Sequence, residues 1–277
     1  TIAYFNVQRS ACASGTTGSV SQNIRGETLL ASSRAGSDTD YALFELSSKP
    51  PASFNAYYSG FDVSSSVPTS GVGIHHPSGD DKKISAYSSP AAARSNVCIG
   101  SNCGLLSTSG FEINAWAVVW SRGTTEGGSS GSGLWNQNGY LVGTLSGGTA
   151  ECTSASSNNG GSDYYARIDT AWNAAGSGLI PVSLKDVLDP DDSGCTRFSG
   201  KAPGITSALN CNGSPTSGGG TGTTTTPPPI PENLSGGGGG GGSTGLDLLG
   251  LLLLVLLRSG RPAWPARLMA SARHASG

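Results

Sequence analysis

An all-β fold of the barrel type follows from three observations on this 277-residue sequence. Ser, Thr, Gly and Asn dominate, with 43 glycines and only 12% charged residues. Short runs of β-branched and aromatic residues recur between clusters of turn residues, the pattern of many short strands. Only one late segment carries good helix signals, so helices contribute little to the architecture.

Taken in order, Thr1–Gln8, Glu27–Ser32 and Tyr41–Leu46 read as strands bounded by polar turns. Gly71–His76, Lys83–Tyr87, Phe111–Trp120, Gly133–Trp135 and Tyr140–Ser146 continue the series. Asn136-Gln137-Asn138-Gly139 links the last two as a hairpin turn, because Asn and Gly tolerate the positive φ such turns need. Ser183–Leu188 is the expected short helix, capped by Ser183 and stopped by Pro190.

Length allows one large domain or two ordinary ones. A net charge of -2 gives no electrostatic footprint for nucleic acid, and that class of partner is set aside. Six cysteines, none in a Cys-x-x-Cys pair, favour disulfides over a metal site and hence an oxidising compartment. No metal and no organic cofactor is implied. The only Met is Met269 and the first residue is Thr1, so a processed or incomplete start is expected, with no visible signal peptide.

Composition shifts near Ser214. The Cys-bounded stretch 195–213 extends the folded part, and 214–235 is a Gly/Thr/Pro linker that cannot bury a core. Gly236–Gly242 is an unbroken glycine run, followed by the apolar block Leu246–Leu257 and by Arg258 and Arg261. The apolar block is shorter than the ~20 residues usual for a bilayer span. The glycine run lacks a following Gly-Lys-Ser/Thr, which argues against a phosphate loop. In this combination, 236–261 resembles the bacterial C-terminal sorting signal GlyGly-CTERM, recognised by the intramembrane protease rhombosortase. Such a resemblance implies membrane contact through the apolar block before cleavage; an ordinary C-terminal anchor is the alternative. Residues 262–277 have no assigned role.

The densest chemical signal is Glu126-Gly127-Gly128-Ser129-Ser130-Gly131-Ser132-Gly133. Acyl transfer by a hydroxyl needs a tight turn with backbone N–H groups converging beside it, and glycines permit that approach. Ser130 reads as the nucleophile, with the N–H groups of Gly128 and Ser130 holding the developing negative charge. A plain Gly/Ser loop is the alternative on these residues alone. Asp40 stands where a polar turn enters an apolar strand, a place from which a carboxylate can accept an imidazole N–H.

Five segments occur in one order: Asp40–Leu46, Ile74-His75-His76-Pro77 with Lys83-Ile84-Ser85, Glu126–Gly133, Leu145–Gly148 and Ser162–Arg167. Together they resemble the bacterial chymotrypsin-fold (trypsin-like) serine proteases, closest to the lysyl endopeptidase group, over residues 1–194. The resemblance implies two six-stranded barrels, the first incomplete here, with the active site in the cleft between them. It implies Ser130 as nucleophile and Asp40 as the triad aspartate. The triad histidine would precede the aspartate, upstream of Thr1, and is therefore missing from the chain. His75 and His76 are implied to be structural or cleft-lining, and His274 lies in the tail.

The same resemblance implies that Cys12 and Cys152 pair with cysteines nearer the N-terminus, absent here, leaving Cys98 with Cys103 and Cys195 with Cys211 as local bridges. Ser129 stands where animal trypsin-like enzymes carry an aspartate that binds a new N-terminus, so activation by that ion pair is not expected. Ser146 stands where lysine-specific enzymes carry a histidine, which puts tight lysine selectivity in doubt. Ser146, Gly147 and Gly148 would still offer backbone groups to an extended substrate. Asp163 matches the acidic base of the primary pocket and would select Lys or Arg by charge pairing. The expectation is a serine endopeptidase acting on protein or peptide substrates, secreted or held at the surface of a Gram-negative bacterium. Its rival is a catalytically silent homologue that binds peptides at the surface.

Overall fold

A computed structural model of the chain describes residues 1–11, 16–33, 38–103, 110–154, 157–174, 182–202, 211 and 253–255. The first strands are β1 (Ile2–Tyr4), β2 (Asn23–Ser32), β3 (Ala42–Leu46), β4 (Phe61–Asp62), β5 (Gly71–His75), β6 (Lys83–Tyr87) and β7 (Ala92–Gly100). They are followed by β8 (Gly110–Val119), β9 (Gly133–Asn136), β10 (Leu141–Gly148), β11 (Cys152–Ser154), β12 (Ser157–Asn158) and β13 (Ser162–Arg167). Helices α1 (Ile168–Asn173) and α2 (Leu184–Leu188) come next, then β14 (Arg197–Phe198) and β15 (Leu253–Val255). The chain is mostly sheet, as its composition predicts, and consistent with a barrel-like all-β fold.

One sheet runs β1-β2-β3-β15 and a second β6-β5-β9-β10-β13-β8-β7, with β4 pairing β10 and β14, while β11 and β12 pair with each other. Among the described residues the first two sheets hold four and nine strands. Leu253–Val255, inside the apolar block, lies parallel to β3 with Leu253 opposite Ala42. The remainder of that block, the linker, the glycine run, Arg258, Arg261, residues 262–277, Cys12 and His274 lie outside the described residues.

Packing explains why β10 becomes the organising strand. Leu141 joins Tyr41, Leu43, Phe61, Trp172, Leu184 and Phe198 in one buried cluster. Val142 and Leu145 join Tyr87, Trp116, Trp120, Leu134 and Tyr165 in another. Burying one such side chain stabilises the fold by about 1.5–3 kcal/mol, so β10 is held from both sides. Phe61 stacks on Phe198 with ring centroids 4.6 Å apart, a geometry favoured by the ring quadrupoles.

Local signals decide the turns. At Asn136–Tyr140, Asn136 Oδ1 accepts from the N–H groups of Asn138 and Tyr140, and Gly139 takes φ +76°. Ser183 caps α2 in a reciprocal capping box with Asp186. Strand β1 stops earlier than its apolar run, because Asn6 enters the left-handed region at φ 55°. Sequence periodicity alone misses α1 and β7. Strand β7 is mostly exposed and is set by pairing along β8, with an irregularity between Arg94 and Val97 where Asn96 has φ 53°. Helix α1 has only six residues, too short to give a clear 3.6-residue signal, and is fixed by burial of Ile168, Ala171 and Trp172.

Candidate active site

The Glu126–Ser132 segment folds as two consecutive turns. Ser129 N–H donates to Glu126 O at 3.0 Å, and Ser132 N–H donates to Ser129 O at 3.1 Å. Strand β10 grips the second turn: Gly131 N–H donates to Leu145 O at 2.7 Å, and Leu145 N–H donates to Ser132 O at 2.9 Å. Ser130 stands exposed at this turn, while Ser129 beside it is buried. Gly128 takes φ +90°, where a side chain is strained, and a Cβ there would stand 2.9 Å from the Ser78 nitrogen.

Asp40 enters from the turn ahead of β3, anchored by buried Thr39. Its Oδ2 accepts from Ser146 Oγ at 2.8 Å, and Thr144 Oγ1 donates to its backbone carbonyl at 3.4 Å. Burial raises the Asp40 carboxyl above the ordinary carboxylate range, and the Ser146 hydrogen bond works against that rise. Ser146 can reach Asp40 because β10 bulges there. Leu145 pairs with Tyr165 and Gly147 with Tyr164, so Ser146 is an extra residue freed from the ladder with β13.

Asp163 lies on β13 opposite Gly148 and is 1% exposed. Its Oδ2 accepts from Trp120 Nε1 and from Thr125 Oγ1, both at 2.6 Å, and the Ala150 backbone also donates to the carboxylate. Desolvation still raises its pKa, with those three donors pulling the other way. A Cβ at position 148 would collide with Asp163 Oδ1, so only glycine lets the strand pass this close.

Strand β10 therefore brings the Ser130 turn, the Asp40 carboxylate, Ser146–Gly148 and Asp163 to its C-terminal half. The two histidines ahead of the serine run are bonded within the fold. His75 is 2% exposed, with Nδ1 at 2.9 Å from Ser129 Oγ and Nε2 at 3.1 Å from Ser85 Oγ. Burial first, then the nearby charges of His76 and Lys83, lower its pKa from 6.5 to about 4. His76 Nδ1 donates to Asp80 O at 3.0 Å. Cys98–Cys103 and Cys195–Cys211 form disulfides, and Cys152 is an exposed thiol. Among the described residues no group of His, Cys, Asp and Glu could hold a metal ion.

The family described as lysyl endopeptidase, C-terminal domain, matches residues 1–166. That span covers more than half of the 277 residues. This chain belongs to the lysyl endopeptidase C-terminal domain family. The matched part of the lysyl endopeptidase domain contains Asp40, Ser130, Ser146 and Asp163 and ends within β13. Membership makes the chain a protease-family protein. The disulfides fit a secreted protein, and lysyl endopeptidase-like proteins are extracellular.

Sequence reasoning missed the partners of the site. Trp120 and Thr125 hold Asp163 from 43 and 38 residues away, and Ser85 and Ser129 enclose His75. One signal was present: Thr124-Thr125 directly precedes the Glu126–Gly133 run. Buried hydroxyls need partners, and two threonines abutting a site loop are candidates to supply them.

Proposed function

We propose that this chain supplies the nucleophile, the aspartate and the specificity pocket of a serine endopeptidase cleaving after Lys or Arg. The observation that carries the proposal is β10, which ties the Ser130 turn, Asp40 and Asp163 to one strand. Ser130 Oγ would attack the scissile carbonyl while an imidazole takes its proton. The Gly128 and Ser130 N–H groups would hold the oxyanion, and the imidazole would pass the proton to the leaving amine. Water then attacks the acyl-enzyme by the same proton route and releases the acid. Asp40, fixed by Ser146, would orient the imidazole and stabilise its cationic form. Ser146–Gly148 would pair with the extended substrate backbone. Asp163 would select the substrate ammonium or guanidinium by its charge. No cofactor enters this chemistry.

The base itself is a further proposal. Both ring nitrogens of His75 are engaged by serines other than Ser130, and His76 donates to its own loop. We assign the base to an imidazole contributed from ahead of Thr1. The 277-residue chain alone should then turn over peptides ~10^4-fold or more below the completed protease. The same observation keeps a silent peptide-binding homologue as the second reading. The deciding experiment treats the completed, folded protease with an organophosphonate and maps the adduct. Labelling at Ser130, abolished by Ser130→Ala, supports the endopeptidase. Adducts at Ser129 or Ser132 would refute this assignment, and lasting inertness would favour the silent binder.

The tail completes the proposal. Gly236–Arg261 would act as a sorting signal cut by a rhombosortase-type enzyme, with the apolar block contacting the membrane beforehand. Among the described residues no helix is long and apolar enough to cross a membrane. The mature protein would be released from, or sorted to, the surface of a Gram-negative cell.

A further inference from the structure

The residue before the nucleophile is buried and bonded on both sides. Ser129 Oγ accepts from Glu126 N–H at 3.3 Å and lies 2.9 Å from His75 Nδ1. On the far side of the ring, Nε2 lies 3.1 Å from Ser85 Oγ, whose own hydroxyl donates to Thr124 O at 2.9 Å. With the ring neutral, as its lowered pKa implies, one arrangement of hydrogens satisfies this chain. Ser85 has given its proton to Thr124, so it must accept from His75, which requires Nε2–H. Nδ1 is then bare and must accept the Ser129 hydroxyl. Both ends of the chain return to the loop ahead of Ser130, at Thr124 and at Glu126.

The residues just after His75 hold the same loop from a second direction. Ser78, in the short turn Pro77–Gly79, donates its N–H to Gly127 O at 2.7 Å. That carbonyl and the Gly128 N–H belong to one planar trans peptide. Fixing the carbonyl on Ser78 therefore fixes the Gly128 N–H in the opposite direction, away from the Ser78 turn. A peptide flanked by two glycines has unusual freedom to rotate, so its orientation needs an external restraint.

We propose that His75 and Ser78 are positioning residues that preset the oxyanion peptide Gly127–Gly128, through the Ser129 hydroxyl and the Gly127 carbonyl, with no ion pair. The inference rests on the reading of Ser130 as nucleophile and Gly128 as oxyanion donor. It goes beyond that reading by naming what holds the donor in place. Strand β5 is the rigid support, since it pairs with β6 on one side and β9 on the other and delivers His75 at its end. The device uses two neutral hydrogen bonds where a carboxylate at position 129 would need a buried cation.

The test uses the completed, folded protease and two ligands with the same peptide sequence ending in lysine. One is a boronic acid, whose tetrahedral adduct with Ser130 occupies the oxyanion site; the other is the carboxamide, which forms no adduct. Boron-11 NMR reports the adduct and titration calorimetry the affinities. Ser129→Ala should weaken the boronate about tenfold or more, within the range for oxyanion-hole damage, and leave the carboxamide within about twofold. Ser129→Thr, which keeps the hydroxyl, should recover boronate affinity. The double variant Ser129→Ala/His75→Leu removes both partners and can fold with little stability loss; it should still bind the boronate weakly. Nitrogen-15 spectra of the unaltered chain should give His75 as the Nε2–H tautomer. Full boronate affinity in the folded single and double variants, or an Nδ1–H tautomer, overturns the positioning role. Absence of any adduct in the unaltered, completed protease overturns the nucleophile reading and this inference with it.

Discussion

His75 resists protonation because its ring is buried and both nitrogens already have partners, with the charges of His76 and Lys83 facing it. Its pKa is about 4 in the folded chain against 6.5 when free. On acidification the unfolded chain binds the proton first. The stability given by the neutral ring is complete above about pH 6.5 and is lost as pH falls toward 4. The difference amounts to about 3 kcal/mol. Urea unfolding of the chain and of His75→Gln between pH 4 and 7 should show the unaltered chain losing most of its advantage across that window. Comparison with the variant is needed because Asp40 and Asp163, both raised by burial, contribute the opposite slope. A constant gap between the two proteins would contradict the neutral buried ring. Asp163 offers a second test at this scale. In Asp163→Asn the side-chain oxygen can still accept from Trp120 and Thr125, while the charge is gone. In the completed protease, kcat/KM for Lys and Arg substrates should fall by roughly 2–5 kcal/mol more than for apolar ones. Equal losses on both substrate classes would remove Asp163 from the specificity assignment.

Strand β10 is shaped by close approach as much as by side chains. Gly148 passes Asp163 with no room for a methyl group. Gly148→Ala should therefore destabilise the chain by about 1–3 kcal/mol, the usual range for an overpacked site. It should also impair binding of a lysine-ended peptide, since the displaced atom is an Asp163 oxygen. Thermal unfolding with peptide titration checks both effects, and an unperturbed variant would mean that the strands part easily here. The sequence made most of these strands legible because β3, β5, β6, β8 and β10 carry apolar or β-branched runs ended by turn residues. It gave Ser130, Asp40, Ser146 and Asp163 as candidates through ordered motifs. It could not give the Ser146–Asp40 bond, because that bond joins residues 106 apart and depends on a bulge. Pairing partners such as β8 for β7 are likewise fixed by tertiary contacts that leave little local trace.

At the scale of the whole molecule, the sheets and their cores organise the described residues, Leu253–Val255 beside β3 included, and the glycine run of the sequence calls for a separate argument. A glycine stretch is flexible and helix-poor, so a protease within the membrane can draw it into an extended form. The Leu-rich block would hold it there, with Arg258 and Arg261 on the cytoplasmic side. Intact-mass measurement on protein from the native host should give a mature C-terminus within or near Gly236–Gly242, with Leu246–Leu257 gone. Membrane-bound material still carrying that block would defeat the sorting proposal and leave the protease-family assignment untouched.

The bulge at Ser146 makes the site sensitive to length in a way that composition does not reveal. Side chains on a strand alternate between faces, so removing one residue turns every later one over. Losing the single codon for Ser146 would erase the extra residue and let β10 run in step with β13. The strand would then look more regular than before, and its ladder would be better paired. Asp40 would have lost its donor, and the next residue to take that place is a glycine with no hydroxyl to offer. For this strand an in-frame deletion that perfects the sheet would remove the Ser146–Asp40 bond, which only the irregular register allows.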